Sequence, residues 1–393
     1  MARFDYLIVG GGMTADAAAH GIRKEDPKGT IGIVAAEPHP PYNRPPLTKG
    51  LWKGDDPESV WRKVGETGAE LMLGRRAVKL DPEARRVTDD RGTAHEYGAL
   101  LLATGGRPRR FRDAPEGVIY FRTLDDYRKT RGLADGGARF VVVGGGFIGS
   151  EIAAAIRMQG RDVTMIVQEE GLGARVFPPA LSRWLVDYYR EKGVTVRLGE
   201  TVDRIESRDG KFQVGSAKGT PMTGDAVIAG LGIEPEVELA RQAGLTVSNG
   251  VNVDEHLRTS RREIYAAGDV ANFHNPALGK RIRVEHEDNA NTMGEIAGRS
   301  MAGAKVRYDH LPMFYSDLFD LGYEAVGEVS SAHETVVDWK EEFREGVIYY
   351  LESGRVRGVL LWNTWGQVDA ARALIAEPGP FRAEQLRGRL PRE

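Results

Sequence analysis

Two stretches of the sequence share one pattern, and together they restrict the possible folds more than any other feature. They are DYLIVGGGMTADAAAH at 5–20 and FVVVGGGFIGSEIAAAI at 140–156. Each passes from apolar residues typical of a buried strand, through three glycines, into a stretch with the spacing of a helix. A strand, a glycine-rich turn and a helix begin a βαβ unit, so the sequence predicts two such units in one chain.

The first glycine turn carries the spacing G-x-G-x-x-G/A through Gly10, Gly12 and Ala15. In this pattern the first glycine permits a tight turn, and the second has no Cβ, so that a pyrophosphate approaches the backbone at the helix N-terminus. Ala15 is small enough for close packing of helix and strand. Glu37, at the end of the next predicted strand, is placed to accept from ribose hydroxyls. The turn predicts a dinucleotide site, although one such spacing alone also fits an ordinary tight turn.

The second glycine turn repeats the spacing through Gly144, Gly146 and Gly149. The strand that follows, VTMIVQEE, ends on Glu169 and Glu170, and either is placed to bind ribose hydroxyls. Two turns, each followed by an acid, predict two dinucleotide sites. The simplest chemistry that needs both is hydride transfer from a nicotinamide to a flavin, so the sequence predicts FAD and NAD as cofactors.

The acids at the second site also bear on the choice of nicotinamide coenzyme. A carboxylate there repels the 2′-phosphate of NADPH, so NADH is predicted to be preferred. Arg175 follows closely in the sequence and leaves the preference open, because an arginine accommodates that phosphate.

Composition excludes several classes of function. The 54 Lys and Arg residues nearly balance the 57 Asp and Glu residues, and a net charge of -3 gives no reason to expect nucleic acid. No apolar run approaches the roughly 20 residues of a membrane-spanning helix. Strand-like residues begin at Phe4, which leaves no room for a leader and predicts a soluble, cytoplasmic protein. With no cysteine, the chain has no disulfide and no thiol redox relay.

Apolar runs and turn residues predict the order of the elements. The first unit is predicted as a strand, a helix and a strand at Phe4 to Val9, Met13 to Arg23 and Thr30 to Ala35. The second unit restarts at Arg139, with a helix from Ser150 to Gln159. From about 307 strands alternate, including a hairpin that turns at Ser353 and Gly354. The predicted fold class is α/β, with two Rossmann-like dinucleotide-binding domains and a C-terminal α+β domain.

Several blocks of the sequence resemble those of the FAD-dependent pyridine nucleotide reductases. They are PYNRPPLTKGLW at 41–52, LLATGGRPR at 101–109, GGGFIGSE at 144–151, IYAAGDVA at 264–271 and RVEHEDNA at 283–290. The resemblance covers nearly the whole chain. MFYSDLFDLGYEAVGEV and GVLLWNTWGQVDAARALI are most similar to apoptosis-inducing factor and its bacterial relatives, then to bacterial ferredoxin reductases. The resemblance implies an FAD-binding domain at 1–110 and 236–306, an NAD-binding domain at 111–235 and a C-terminal domain at 307–393.

The resemblance also implies which residues hold FAD. Arg44 is expected near the FAD phosphates or the edge of the isoalloxazine ring, and Thr104 and Gly105 belong to a second FAD-binding block. Asp269 is expected to accept from a ribityl hydroxyl, or alternatively to cap the turn that follows. A helix beginning near Asn289 would point its N-terminus at the pyrimidine edge of the flavin and stabilise the reduced form.

Four further residues are implied in flavin reduction. Lys49 and Glu151 resemble the lysine and glutamate that pair beside flavin N5, where a cation favours the arrival of the hydride. Phe147 resembles an aromatic residue that covers the flavin and swings aside for nicotinamide, or it packs at the start of a helix. His286 resembles a histidine near the flavin, or it has a structural role.

Together these features predict an NADH-dependent FAD oxidoreductase. The disulfide-reducing branch of the family needs a cysteine pair beside the flavin, which this chain lacks, so electrons are expected to pass directly to ferredoxin, a quinone or oxygen. The basic run GGRPRRFRD at 105–113 is either a docking patch for an acidic partner or a solvated loop. The alternative function is a redox-sensing interaction protein in which the NADH-reduced flavin state controls dimerisation. The protein is accordingly expected to be a monomer or a homodimer.

Overall fold

The computed structural model describes residues 2–390, which form two compact units. The first unit consists of 2–44, 57–107 and 234–312, and the second of 45–56, 108–233 and 313–390. Each unit is built from three segments of the chain, because the two units alternate along the sequence.

The core of the first unit is a mostly parallel sheet. Its strands, in spatial order, are Glu70–Leu73, Ile31–Ala35, Ala2–Val9, Ala94–Leu102, Arg86–Asp89 and Ala77–Asp81, and Ile264–Ala266 also pairs with Ala94–Leu102. Ile31–Ala35 is buried at every position, as expected for a parallel strand covered on both faces. The parallel pairing brings the ends of the strands after Val9, Ala35 and Leu102 to the same edge of the sheet.

Two helices of the first unit, Met13–Glu25 and Glu287–Met301, pack closely against each other. A Cβ on Gly298 would lie 2.0 Å from the carbonyl oxygen of Ala18, and a Cβ on Gly294 would lie 2.6 Å from that of Thr14. The approach of the two helices therefore requires glycine at both positions.

The second unit contains a parallel sheet and two antiparallel ones. The parallel sheet has the order Thr195–Arg197, Val163–Ile166, Phe140–Val143 and Ala226–Ala229. The helices of this part are Leu124–Asp135, Phe147–Met158 and Pro179–Glu191. Three antiparallel strands follow at Val202–Arg208, Lys211–Ser216 and Met222–Gly224.

The C-terminal part of the second unit is a five-stranded antiparallel sheet. The strand order is Met313–Leu318, Leu321–Gly327, Arg355–Trp362, Glu345–Glu352 and Glu334–Glu341. The helices that follow it are Val368–Ala376 and Ala383–Leu386.

Shorter elements complete the described chain. They are the strands Gly106–Pro108, Ile233–Pro235, Val247–Ser248, Gly250–Asn252, Ala271–Asn275 and Lys280–Ile282, the helix Glu238–Gln242, and 3-10 turns at Pro45–Thr48, Gly50–Trp52, Pro57–Val60, Val64–Thr67 and Gly268–Val270. Within residues 2–390, no helix combines the length and apolar character needed to cross a membrane.

The predicted fold class is confirmed, because two Rossmann-like parallel sheets are present and a C-terminal sheet with helices follows them. The predicted hairpin turns at Ser353 and Gly354, whose φ angles of 52° and 73° are both positive. Positive φ at both central residues is typical of the turn that best matches the twist of two antiparallel strands.

Two helices begin earlier than the sequence predicts. The helix predicted from Ser150 begins at Phe147, and the helix predicted near Asn289 begins at Glu287. Apolar spacing identifies the buried turns of a helix, whereas the exposed first turn carries no such spacing and is fixed by its cap.

Candidate functional site

In the first glycine turn, Gly10 has no space for a side chain, whereas Gly12 borders open space. Gly10 has a φ of +124°, and a Cβ there would lie 2.1 Å from the carbonyl oxygen of Ala103, so the position admits no side chain. A Cβ on Gly12 would meet nothing within 4 Å, and Gly12 is the N-cap of the helix Met13–Glu25. Open space therefore borders the N–H groups of a helix N-terminus, the arrangement that accepts a pyrophosphate.

The second glycine turn repeats these contacts. Gly144 has a φ of +107°, with a Cβ placed 2.5 Å from the carbonyl oxygen of Gly230, whereas a Cβ on the N-cap Gly146 would meet nothing within 4 Å. The third position is closed in both turns, because Ala15 is fully buried and a Cβ on Gly149 would lie 2.1 Å from the carbonyl oxygen of Gly144. Both turns thus fit a dinucleotide, with open backbone only where its diphosphate would lie.

Glu37 and Arg44 form an ion pair at the strand edge of the first unit. Oε1 of Glu37 accepts from Nη2 of Arg44 at 2.5 Å, and Oε2 accepts from the Tyr42 hydroxyl at 2.7 Å. Burial of the guanidinium lowers the pKa of Arg44, but Tyr42, Glu37 and Asp269 outweigh burial and hold it above its usual value. Three residues predicted to hold FAD, Glu37, Arg44 and Asp269, are therefore close enough to interact.

Asp269 lies in a turn, and Thr104 and Gly105 lie in the irregular segment between two strands, where backbone groups contact all three. Asp269 belongs to the 3-10 turn Gly268–Val270, and its carbonyl oxygen accepts from Arg283 at 3.0 Å. The Thr104 hydroxyl donates to the carbonyl oxygen of Glu236 at 2.7 Å, and the Gly105 carbonyl oxygen accepts from the Glu236 N–H at 2.9 Å.

The acids after the second glycine turn differ in their surroundings. Glu169 accepts two hydrogen bonds from Arg175, at 2.9 and 3.2 Å, and the Arg175 side chain is 84% exposed. Glu170 is exposed. The exposed Arg175 therefore offsets part of the negative charge that Glu169 places after the second glycine turn.

Lys49 and Glu151 form an ion pair in the second unit. The Lys49 Nζ lies 2.7 Å from Oε2 of Glu151, and the side chains are only 11% and 4% exposed. Lys49 follows the 3-10 turn Pro45–Thr48, and Glu151 projects from the helix Phe147–Met158. The structure thus brings together the two residues that the resemblance pairs.

Two hydroxyls that the sequence did not single out also bind Glu151. Thr48 Oγ1 donates to Oε2 of Glu151 at 2.6 Å, and Ser316 Oγ donates to Oε1 at 2.5 Å. The only signal in the sequence was position, because Thr48 precedes Lys49 and Ser316 lies in the block MFYSDLFDLGYEAVGEV. Both carboxylate oxygens of Glu151 therefore have donors.

Two buried tyrosines lie close enough to the same carboxylate to interact with its charge. Burial raises the pKa of Tyr323 and of Tyr189 well above the usual value, and the negative charge of Glu151 raises both further. The Tyr189 hydroxyl donates to the carbonyl oxygen of Ser150 at 3.0 Å. Glu151 is thus a negative charge among neutral, buried groups, which strengthens its attraction to Lys49.

Phe147 and His286 both lie where a helix begins. Phe147 is 37% exposed, and its ring packs edge-on against Phe314 with ring centroids 5.2 Å apart. His286 is the half-buried N-cap residue of the helix Glu287–Met301. The exposure of Phe147 distinguishes it from an ordinary core residue.

Comparison with known proteins identifies two parts of the sequence. The family described as pyridine nucleotide-disulphide oxidoreductase matches residues 4–294. The C-terminal part described for apoptosis-inducing factor, mitochondrion-associated, matches residues 297–340 and 336–377.

Individual relatives cover nearly the whole chain. The 5,5'-dehydrodivanillate O-demethylase ferredoxin reductase subunit of Sphingobium is 36% identical over 96% of this chain and 94% of its own length. Apoptosis-inducing factor 1 of Dictyostelium discoideum is 32% identical over 95% of this chain and 78% of its own length. Among solved structures, the covalent putidaredoxin reductase-putidaredoxin complex matches with a TM-score of 0.91, at 31% identity, over 98% of this chain and 96% of that one.

Proposed function

Because the chain belongs to the pyridine nucleotide-disulphide oxidoreductase family and is an oxidoreductase with FAD and NAD as cofactors, we propose that it carries electrons from NADH to a ferredoxin-type protein. The observation that carries the proposal is the pair of matching glycine turns, each open at the N-cap of a helix. A relative that is named a ferredoxin reductase subunit supports the choice of acceptor.

The absence of cysteine determines how electrons leave the protein. The family description includes disulphide reduction, which requires a thiol pair, and none of the 393 residues is cysteine. Electrons therefore pass to an external acceptor without a thiol relay in the chain.

The residues of the first unit bind the flavin cofactor in this proposal. FAD, when bound, accepts two electrons from a nicotinamide and releases them singly to a one-electron carrier. Gly10, Gly12 and Ala15 shape the turn that takes its diphosphate, and Glu37 takes a ribose. The remaining contacts are assigned to Arg44, Thr104, Gly105, Asp269 and His286. The division into an FAD domain at 1–110 and 236–306, an NAD domain at 111–235 and a C-terminal domain at 307–393 remains a prediction.

The residues of the second unit bind the nicotinamide coenzyme and place a cation. Gly144, Gly146 and Gly149 form the coenzyme turn. Lys49 supplies positive charge for flavin reduction, and Glu151 keeps the ammonium group in one place. Phe147 is proposed to cover the flavin until nicotinamide displaces it.

NADH is the proposed coenzyme because two acids follow the strand Val163–Ile166 of the second unit. Glu169 and Glu170 place negative charge where NADPH would carry its 2′-phosphate. The ion pair between Arg175 and Glu169 offsets part of that charge, so the proposed preference rests chiefly on Glu170.

A ferredoxin-type acceptor is preferred to a quinone or oxygen. Arg109, Arg110 and Arg112 are exposed on the run GGRPRRFRD and offer positive charge to an acidic partner. The state of assembly, monomer or homodimer, and a cytoplasmic location remain predictions from the sequence.

A second candidate function is a redox sensor whose reduced state controls dimerisation. It is favoured by the match of residues 297–340 and 336–377 to the C-terminal part of apoptosis-inducing factor. The alternative predicts a change of molecular mass on reduction, with slow turnover.

One pair of measurements separates the two functions. Steady-state reduction of purified ferredoxins by NADH is measured beside sedimentation of the protein with and without NADH. Fast ferredoxin reduction at constant mass supports the reductase. A NADH-dependent change of mass with negligible transfer to ferredoxin, quinone or oxygen overturns it in favour of the sensor.

A further inference from the structure

We propose that Ser316 is a positioning residue for flavin reduction, which acts through Glu151 to hold the Lys49 ammonium group in one place. This inference rests on the proposed function and deepens it. It assigns to the C-terminal sheet a direct part in arranging the ion pair.

Ser316 fixes the carboxylate oxygen that the other partners leave unbound. Lys49 and Thr48 both contact Oε2 of Glu151, at 2.7 and 2.6 Å. Ser316 donates to Oε1 at 2.5 Å. A carboxylate held at one oxygen can turn about its Cγ–Cδ bond, whereas one held at both has a single orientation. The Ser316 contact therefore fixes the direction in which Glu151 presents Oε2 to Lys49.

The burial of these groups makes the contact hard to replace. Ser316 is 1% exposed, and Glu151 is 4% exposed. A hydrogen bond to a charged group is stronger than one between neutral groups, and a buried acceptor that loses its donor bears the full cost of desolvation. Removal of the Ser316 hydroxyl therefore favours a reoriented Glu151 over an unchanged one.

The strand Met313–Leu318, at the edge of the five-stranded sheet, supplies this hydroxyl. Ser316 is paired with Tyr323 in the antiparallel sheet, which fixes the direction of its side chain. The adjacent residue, Tyr315, contacts the other member of the pair, because the Lys49 Nζ lies 5.4 Å from the centre of its ring. One strand thus contacts both Glu151 and Lys49.

Substitution of Ser316 tests the proposal. In the FAD-loaded protein, Ser316→Ala is expected to slow flavin reduction by NADH about tenfold, the effect of losing one hydrogen bond to a charged group. It is also expected to shift the midpoint potential of the flavin to more negative values, because the cation is displaced from the reduced form. Ser316→Thr, which keeps the hydroxyl, should have the reduction rate and the midpoint potential of the unsubstituted protein. Ser316→Cys keeps the side-chain shape with a slightly larger atom that donates poorly, and it serves if the alanine variant does not fold.

A matched serine controls for the general loss of a buried hydroxyl. Ser182 is 2% exposed and donates to the carbonyl oxygen of Leu172 at 2.8 Å, rather than to Glu151. Ser182→Ala should leave the midpoint potential unchanged. An equal shift in both alanine variants overturns the positioning role.

A double-mutant cycle establishes whether Ser316 acts through Glu151. In a Glu151→Gln background, Ser316→Ala should change the midpoint potential no further. Additive shifts would show that the serine acts independently, which overturns the proposal. The potential is measured with a chemical reductant, so failure of NADH to reduce the wild-type flavin would count against the proposed function alone.

Discussion

The Lys49 ammonium group lies 2.7 Å from the Glu151 carboxylate, and both side chains are nearly buried. Burial of two charges costs desolvation that their attraction only partly offsets, so such a pair is weak support for stability. The hydroxyls of Thr48 and Ser316 reduce that cost by binding the carboxylate. The arrangement is better suited to holding a cation for catalysis than to strengthening the fold.

Removal of either member of this ion pair should destabilise the protein and slow flavin reduction. Lys49→Ala leaves Glu151 buried without its counter-charge, so the free energy of unfolding should fall by about 3 to 5 kcal/mol. The bound hydroxyls favour the lower end of this range. Urea unfolding of the FAD-loaded protein gives the stability, and stopped flow gives the slower reduction by NADH. In stopped flow, the double variant Lys49→Ala/Glu151→Ala should reduce its flavin little more slowly than either single variant. Strictly additive losses of rate would contradict the pairing.

The two glycines of the first turn should respond differently to alanine. At Gly12 a Cβ meets no protein atom, so Gly12→Ala should fold with nearly unchanged stability but bind FAD more weakly. At Gly10 the positive φ and the contact with Ala103 make alanine strained, so Gly10→Ala should lower the melting temperature of the protein itself. Flavin fluorescence and thermal unfolding measure the two effects. Unchanged FAD affinity in Gly12→Ala would show that the open position is not the diphosphate site.

Phe147→Ala should affect kinetics more than stability. The ring is 37% exposed, so truncation should cost well below the ~3–5 kcal/mol typical of a buried phenylalanine. If the ring covers the flavin, its removal should tighten NADH binding or speed flavin reduction in stopped flow. A lower melting temperature with unchanged reduction kinetics would instead identify Phe147 as a packing residue.

Acid should destabilise the first unit through Asp89. Burial opposes the charge of this carboxylate, but His95, Arg75 and the N–H groups of Thr93 and Arg91 outweigh burial and hold the pKa of Asp89 well below its usual range. The unfolded chain therefore binds a proton that the folded protein does not, and stability should fall as the pH drops below about 4. Thermal unfolding at pH 3 to 6 measures the slope. Asp89→Asn should flatten it, and an unchanged slope would assign acid sensitivity to other groups.

The sequence predicts the local parts of this site and misses those that depend on distant contacts. The glycine turns are readable because backbone conformation and helix N-terminus follow from adjacent residues. Ser316 could not be assigned, because its contact with Glu151 depends on how a C-terminal strand packs against a helix far earlier in the chain. The ion pair between Glu37 and Arg44 was not predicted, although the two residues are close in sequence. A loop has no regular spacing from which side-chain contacts can be predicted.

NADH is expected to reduce a flavin held by this chain without a thiol intermediate. Anaerobic titration of the FAD-loaded protein with NADH, followed by flavin absorbance, tests it most directly. Since the chain has no cysteine to take up further electrons, bleaching should be complete at one NADH per FAD and should be much faster with NADH than with NADPH. A flavin that stays oxidised in excess NADH would contradict the account, and equal rates with NADPH would contradict the coenzyme assignment.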